Sequence, residues 1–288
     1  MTTDEKLARA RAIIAEMESV LVAFSGGVDS TFLLWLCHDV LGERCLAATA
    51  VSPSLAAAER AEAQRLAAQI GVRHLLIETH EFDNPSYRAN APNRCYFCKS
   101  ELFTHLFPIA RREGLRYVVY GAIEDDRGDF RPGATAAREW GARAPLQEAT
   151  LTKAEIRALS KAVGLPTWDK PAMACLSSRI PYGHEVTAEK LAQVEAAEGA
   201  LRRRGFAQVR VRHHGEIARV ELPAQELARF FAEGHAATVA QEIKACGFAY
   251  VTVDMEGYRS GSLNETLPLT FKARRRARAG DPASRAPR

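Results

Sequence analysis

The chain has 288 residues, room for one large domain or two of ordinary size. Its 47% apolar and 26% charged residues exclude disorder and coiled coil. Its longest apolar run, the six residues Phe32–Cys37, falls far short of the ~18 that a membrane span needs. The net charge of +4 is concentrated in Lys272–Arg288, where seven basic residues and one Asp contribute +6 and leave the rest at −2. A mildly acidic body is a poor footprint for nucleic acid, and none is expected as a partner. Residues 271–288 read as a disordered basic tail. The charged, helical start MTTDEKLARARAII has no signal-peptide core, so a cytoplasmic protein is expected.

In chain order, 4–18 read as a helix, Val20–Phe24 as a strand and 30–41 as an apolar helix. Cys45–Val51 is a second strand, 55–70 a helix and His74–Thr79 a third strand. A loop with Pro85, Pro92 and CYFC then leads to a helix over 99–113 and the strand Tyr117–Tyr120. Strands separated by single helices predict an α/β, doubly wound, Rossmann-like parallel sheet. From 122 to 186 the chain is rich in Gly and Pro, apart from a helix opened by Thr152 with Glu155 as its capping box. The remainder changes character. A helix at 187–203, strands Ala207–His213 and Ile217–Leu222, helices near 223–232 and 235–245 and a strand at 248–254 predict a small α+β unit. The expected division is 1–175 for the first domain, 176–270 for a substrate or oligomerisation domain, and 271–288 for the tail.

The strongest local signal is Ser25-Gly26-Gly27-Val28-Asp29-Ser30, between an apolar strand and an apolar helix. A glycine pair lets backbone amides turn toward an anion, and the helix behind adds unpaired N–H groups and a positive dipole end. Ser25 and Ser30 add hydroxyls, and Asp29 is a candidate Mg²⁺ ligand. No Gly-Lys-Ser/Thr and no G-x-G occur, so the Walker A and dinucleotide loops are excluded. SGGVDS in this position resembles the pyrophosphate loop of the PP-loop ATP pyrophosphatases. The resemblance implies ATP held by Ser25, Gly26, Gly27, Asp29 and Ser30. It also implies adenine beside the first strand and the end of the second, at Ala23 and Ser52.

NRCYFCK (93–99), GDFRPG (128–133), PAMACLSSRIPYG (171–183), VRVRHHG (209–215) and MEGYRSGSLNE (255–265) narrow the choice. With the loop, they look like the LarE family, from about residue 5 to 270. That family comprises the ATP-dependent sulfur transferases of nickel-pincer cofactor biosynthesis, which mature lactate racemase. The resemblance implies adenylation of a carboxylate on a pyridinium mononucleotide, then conversion to a thiocarboxylate. Nickel-pincer maturation proteins are the implied partners, and a homo-oligomer the implied assembly. Gly121, Asp126, Asp129 and Arg131 resemble the family's loop near the nucleotide. GAIEDD departs from the family's GTN-like start at Ala122 and Ile123, so no side-chain contacts are carried over there.

Six cysteines without a secretion signal do not suggest a disulfide framework. Cys37, Cys45 and Cys246 read as small core residues. Cys175 matches the family's sulfur-bearing cysteine, with Arg179 four residues on as a cation able to favour its thiolate. Cys95 and Cys98 form a C-x-x-C that fits no zinc knuckle, having no second ligand pair, and lies in a loop rather than at a helix N-terminus. With Cys175 they suit a [4Fe–4S] cluster with one open iron. The other route, in family members without the C-x-x-C, sacrifices the cysteine sulfur and leaves dehydroalanine.

Strand alternation sends Arg210 and Arg212 to one face and Val209 and Val211 to the other. Without the family match that face reads as solvated; with it, Arg210 and Arg212 hold a substrate phosphate, together with Ser178 and Arg179. Glu198 and Glu221 correspond to divalent-metal carboxylates of the family. His213 and His214, beside a hairpin turn, are expected to be exposed. Three rivals remain open: a tRNA thiolase, an ammonia-using amide synthetase that would leave Cys175 idle, and a nucleotide-gated metal or cluster carrier without turnover.

Overall fold

The computed structural model describes residues 1–127, 131–171, 174–259 and 261–266. Asp129, with the rest of the first half of the GDFRPG segment (128–130), and the tail lie outside the described residues. In chain order the elements are α1 (Thr3–Met17), β1 (Val20–Ala23), α2 (Val28–Leu41), β2 (Cys45–Val51), α3 (Ala57–Ile70), β3 (His74–Glu78), α4 (Pro85–Arg88), α5 (Arg94–Arg112) and β4 (Tyr117–Tyr120). They continue as α6 (Pro132–Trp140), α7 (Pro145–Glu148), α8 (Lys153–Ala162), α9 (Ala188–Arg202), β5 (Arg210–His214), β6 (Ile217–Glu221), α10 (Ala224–Ala232), α11 (His235–Ala245) and β7 (Tyr250–Val253). The chain divides into two compact units. The first takes Met1–Glu81 and Cys95–Met173, and the second Phe82–Arg94 and Ala174–Leu269, each so far as described.

In the first unit the strands run parallel in the order β3-β2-β1-β4. Every residue of β1 is buried, as a central parallel strand covered on both faces requires. Its side chains alternate: Val20 and Val22 join the core with α1, α2 and α3, while Leu21 and Ala23 join Leu102, Phe103 and Leu106 of α5. The sheet is the doubly wound one that the helix–strand alternation predicted. Its order reverses between β1 and β4, so the crevice where such sheets bind ligands opens above the carboxyl ends of these two strands.

The second unit holds a three-stranded sheet, β5-β6-β7, antiparallel between the first pair and parallel between the second. Val209, Val211, Ala218 and Val220 face Ala197 and Leu201 of α9 and Val239 and Ile243 of α11. This is the expected α+β unit. The segment Phe82–Arg94 belongs with it although it precedes it by some eighty residues, a membership no local pattern announces.

One local expectation is corrected. The helix expected from residue 99 begins at Arg94, so Cys95 and Cys98 are its second and fifth residues and do not lie in a loop. Pro92, two residues earlier, is tolerated because a helix start needs no N–H from that position.

Candidate active site

The loop after β1 is a turn built by its own residues. Gly26 takes φ +69°, a conformation a side chain would strain. Ser30 is the hub: its Oγ accepts from the Ser25 amide at 3.3 Å, lies 3.0 Å from Ser25 Oγ, and donates to the Gly27 carbonyl at 3.2 Å. Gly27 is the N-cap of α2 and offers no capping side chain, so the first N–H groups of that helix are left to an external acceptor. Below the loop, Thr49 of β2 donates to the Phe24 carbonyl at 2.8 Å. The arrangement leaves the N–H groups at the head of α2 open to an anion.

Gly121, the first residue after β4, closes it from the side. A Cβ there would stand 2.9 Å from Ser30 N, 3.1 Å from Ser30 Cα and 3.2 Å from Asp29 C. These are backbone atoms, so Gly121→Ala must push the start of α2 away. The expected result is nucleotide affinity reduced by more than tenfold with a stability loss of about 1–3 kcal/mol, the usual scale of overpacking. Titration with ATP beside denaturant unfolding checks it.

Asp29 accepts two hydrogen bonds from Lys153 Nζ, at 2.8 and 2.7 Å. Lys153 opens α8, whose capping box is the one the sequence announced; its role as counter-ion to Asp29 was not foreseen. Asp126 caps the turn after β4 through the Ile123 amide at 3.1 Å and pairs with Arg131 at 2.7 Å. Burial still pushes its carboxyl above the usual range, against that hydrogen bond and the Arg131 charge. Ala122 and Ile123, where the sequence departs from the family's pattern, are buried. At the end of β2, Ser52 and Ser54 both donate to the buried carboxylate of Glu81, at 2.5 and 3.0 Å. Ser52 is thus held in place by a residue that sequence reasoning missed.

The second unit carries Cys175, which is exposed and heads the turn Leu176–Arg179. Its carbonyl accepts from the Ser178 amide at 3.0 Å and from Arg179 Nη1 at 2.9 Å. Arg179 is 1% exposed and grips Glu198 with Nε and Nη2, at 2.7 and 3.0 Å. It also donates to the Ala174 carbonyl and to Ser178 Oγ. Its contacts are therefore with the backbone around the cysteine and with a carboxylate, where the sequence suggested a cation for the sulfur. The other side of the loop is clasped by Phe82–Arg94. Tyr87 Oη lies 2.7 Å from Ser177 Oγ, Asn90 donates to the Ile180 and Pro181 carbonyls at 3.2 and 2.8 Å, and Arg94 donates to the Ser177 carbonyl at 2.8 Å.

Arg210 and Arg212 share a face as alternation required, but that face is covered: they are 4% and 6% exposed. Arg212 pairs with Glu221 at 3.0 and 2.8 Å and donates to the Ser178 carbonyl at 2.9 Å. Arg210 donates to the Val209 carbonyl and lies over the Tyr258 ring at 5.3 Å. Burial, with the Arg179 charge nearby, pulls its guanidinium below the usual arginine range. Glu198 also accepts from Arg202 at 2.6 Å and from the Val211 amide at 3.1 Å, and Glu221 from Arg219 at 3.0 Å. Both carboxylates are fully buried and charge-balanced by guanidiniums, so a divalent cation there competes with two arginines for each. His213, expected at the surface, is 6% exposed, bonded to Gln193 at 3.0 Å and edge-on to Phe248. It lies within β5, which runs on to His214.

Cys95 and Cys98 stand at i and i+3 as the second and fifth residues of α5, and Cys95, in the first turn, lies where a helix dipole favours a thiolate. Among the described residues, no group of three or more His, Cys, Asp or Glu side chains is placed to hold a metal ion. None of the described helices is long and apolar enough to cross a membrane.

The chain is 39% identical over 267 residues to pyridinium-3,5-bisthiocarboxylic acid mononucleotide synthase of Lactiplantibacillus plantarum, covering 92% of this chain and 96% of that one. It belongs to the LarE family. A second relative of this LarE-family chain is an uncharacterized protein of Synechocystis sp., 49% identical over 264 residues, 92% of this chain and 98% of the other. An uncharacterized protein of Methanocaldococcus jannaschii is 25% identical over 243 residues, 84% and 92% of the two chains. No family model matches the chain. The matched length runs through both units of the chain.

Proposed function

We propose that this chain is an ATP-dependent sulfur transferase that converts a carboxylate of a pyridinium mononucleotide into a thiocarboxylate, in nickel-pincer cofactor biosynthesis. The observation that carries the reading is the near end-to-end match to the Lactiplantibacillus plantarum synthase, whose name states a bisthiocarboxylic acid product. The geometry of the Ser25–Ser30 loop supports an ATP pyrophosphatase step. A substrate carboxylate oxygen attacks the α-phosphorus, the α–β bridging bond breaks, and pyrophosphate leaves into the N–H groups at the head of α2. The products are an acyl-adenylate and pyrophosphate. Mg²⁺ arriving with ATP would be held by Asp29, an oxygen donor of the right hardness, with Lys153 released to the phosphates.

The acyl-adenylate is open to a thiolate, with AMP as leaving group. Cys175 is the proposed nucleophile: its sulfur bonds to the carbonyl carbon and the C–O pair departs with AMP. Loss of the Cys175 α-proton with cleavage of Cβ–Sγ then yields thiocarboxylate and dehydroalanine. An iron–sulfur cluster is the alternative sulfur source. Cys95, Cys98 and Cys175 would hold it, a donor set whose thiolate chemistry fits, and it would supply a sulfide replaceable from outside. Arg210, Arg212 and Ser178 are the proposed phosphate site. Arg179, fully engaged with Glu198 and the cysteine loop, joins it only by exchanging one of those bonds. Nickel-pincer maturation proteins are the proposed partners, in a cytoplasmic homo-oligomer.

The test is anaerobic turnover with ATP and a pyridinium mononucleotide carboxylate. Pyrophosphate released in step with thiocarboxylate supports the reading, and pyrophosphate accompanied by an amide product or a thiolated tRNA overturns it.

A further inference from the structure

Behind the glycine loop lies a cation that the sequence did not single out. The backbone of Lys170 is fixed by its own amide donating to the Thr167 carbonyl at 3.0 Å and by Arg157 donating to the Lys170 carbonyl at 2.8 Å. From there Nζ reaches the Gly26 carbonyl at 3.1 Å and Glu59 Oε2, on the first turn of α3, also at 3.1 Å. The two side chains are only 17% and 21% exposed. A Cβ on Gly26 would stand 3.4 Å from Ala63 Cα, one turn beyond Glu59 on the same helix. The bend of the loop is thus tied to α3 through Lys170 and Glu59, at a point where a side chain on Gly26 would meet Ala63.

The consequence lies in one peptide plane. The chain has no cis peptide among its described residues, and in a trans peptide the N–H points opposite to the carbonyl that precedes it. An ammonium holding the Gly26 oxygen against α3 therefore turns the Gly27 N–H away from α3. Gly27 is the N-cap of α2, so this N–H lies beside the unpaired amides of the helix start, where successive N–H groups make an anion nest. A Gly-Gly peptide has almost no preference of its own for either orientation, because neither residue has a Cβ to bias φ. The Ser30 hydrogen bonds hold the Ser25 amide and the Gly27 carbonyl, whereas the Gly26 carbonyl is held by Lys170.

We propose that Lys170 is a positioning residue of the nucleotide loop: by holding the Gly26 carbonyl against α3 it keeps the Gly27 N–H turned toward the pyrophosphate of ATP. Its charge is balanced by Glu59, so it acts through the backbone and is not itself a phosphate ligand. The inference rests on the ATP reading above and adds to it a residue that orients the loop.

The experiment is calorimetric titration of the full chain with inorganic pyrophosphate and, separately, AMP, for wild type, Lys170→Met, Lys170→Gln and Lys170→Arg, with the thermal midpoint of each. Lys170→Met is expected to weaken pyrophosphate by about tenfold, the scale of one charge-assisted hydrogen bond. It should raise KM for ATP in parallel, leave kcat and AMP affinity near wild type, and be largely rescued in Lys170→Arg. Should Lys170→Met fail to fold, Lys170→Gln decides, with the same selective loss expected. Unchanged pyrophosphate affinity in a folded neutral variant overturns the Lys170 inference alone, as does an equal loss of pyrophosphate and AMP. A wild-type chain that binds neither pyrophosphate nor ATP overturns the ATP reading itself.

Discussion

Cys175→Ser is expected to abolish thiocarboxylate formation, by roughly 10³-fold or more as for loss of a nucleophile, while ATP-dependent release of the first pyrophosphate continues. The reason is spatial as well as chemical. The glycine loop proposed to take pyrophosphate belongs to the first unit and Cys175 to the second, and the hydrogen bonds around Ser30 do not involve Cys175. Cys175 is exposed and its side chain supports no core, so the thermal midpoint should stay within a degree or two of wild type. Product analysis with intact-protein mass spectrometry reads the outcome. If Cys175 gives up its own sulfur, wild-type protein after one turnover loses the mass of hydrogen sulfide and stops. If sulfur is supplied from outside, turnover exceeds one per chain, iron and acid-labile sulfide co-purify, and Cys95→Ala removes both. A fully active Cys175→Ser would instead favour the amide synthetase.

Glu198→Gln is expected to cost about 3–5 kcal/mol, the scale of breaking a buried ion pair by removing one partner. Glu198 is fully buried and accepts from Arg179, Arg202 and the Val211 amide, so a neutral amide leaves two guanidiniums without their carboxylate. The loss falls on the Cys175 loop, which Arg179 holds by the carbonyls of Ala174 and Cys175. Urea unfolding, with the alkylation rate of Cys175 as a second readout, measures both effects. The same carboxyl sets a pH dependence. Burial alone would push its pKa up, but the Arg179 hydrogen bonds and the charges of Arg179, Arg202 and Arg210 outweigh it and hold it below the usual carboxylate range. A depressed folded-state pKa contributes stability that is fully present above the unfolded carboxylate pKa and lost as pH falls through the folded one. Wild type should therefore lose stability in acid below the ordinary carboxylate range, and Glu198→Gln should lose this component of the slope.

What the sequence determined by itself is what short windows encode. The period of β1, β2 and β4, the intervening helices and the glycine pair at the head of α2 are local patterns, and they produced the parallel sheet and the turn between β1 and α2 as read. The cysteine motifs were legible because spacing is all a C-x-x-C needs, although the start of α5 was placed five residues late. Only the tertiary structure decided which charge meets which. Strand pairing puts Arg210 directly opposite Glu221, yet Arg212 takes that carboxylate diagonally, and Arg179 reaches Glu198 on another element. A face that alternation alone leaves to solvent became a buried array of arginines and glutamates. Lys170 and Gly26 lie 144 positions apart, and Phe82–Arg94 clasps a loop some ninety residues further on. Such pairings follow from packing and from the desolvation of each charge, which is known only once every other element has been placed.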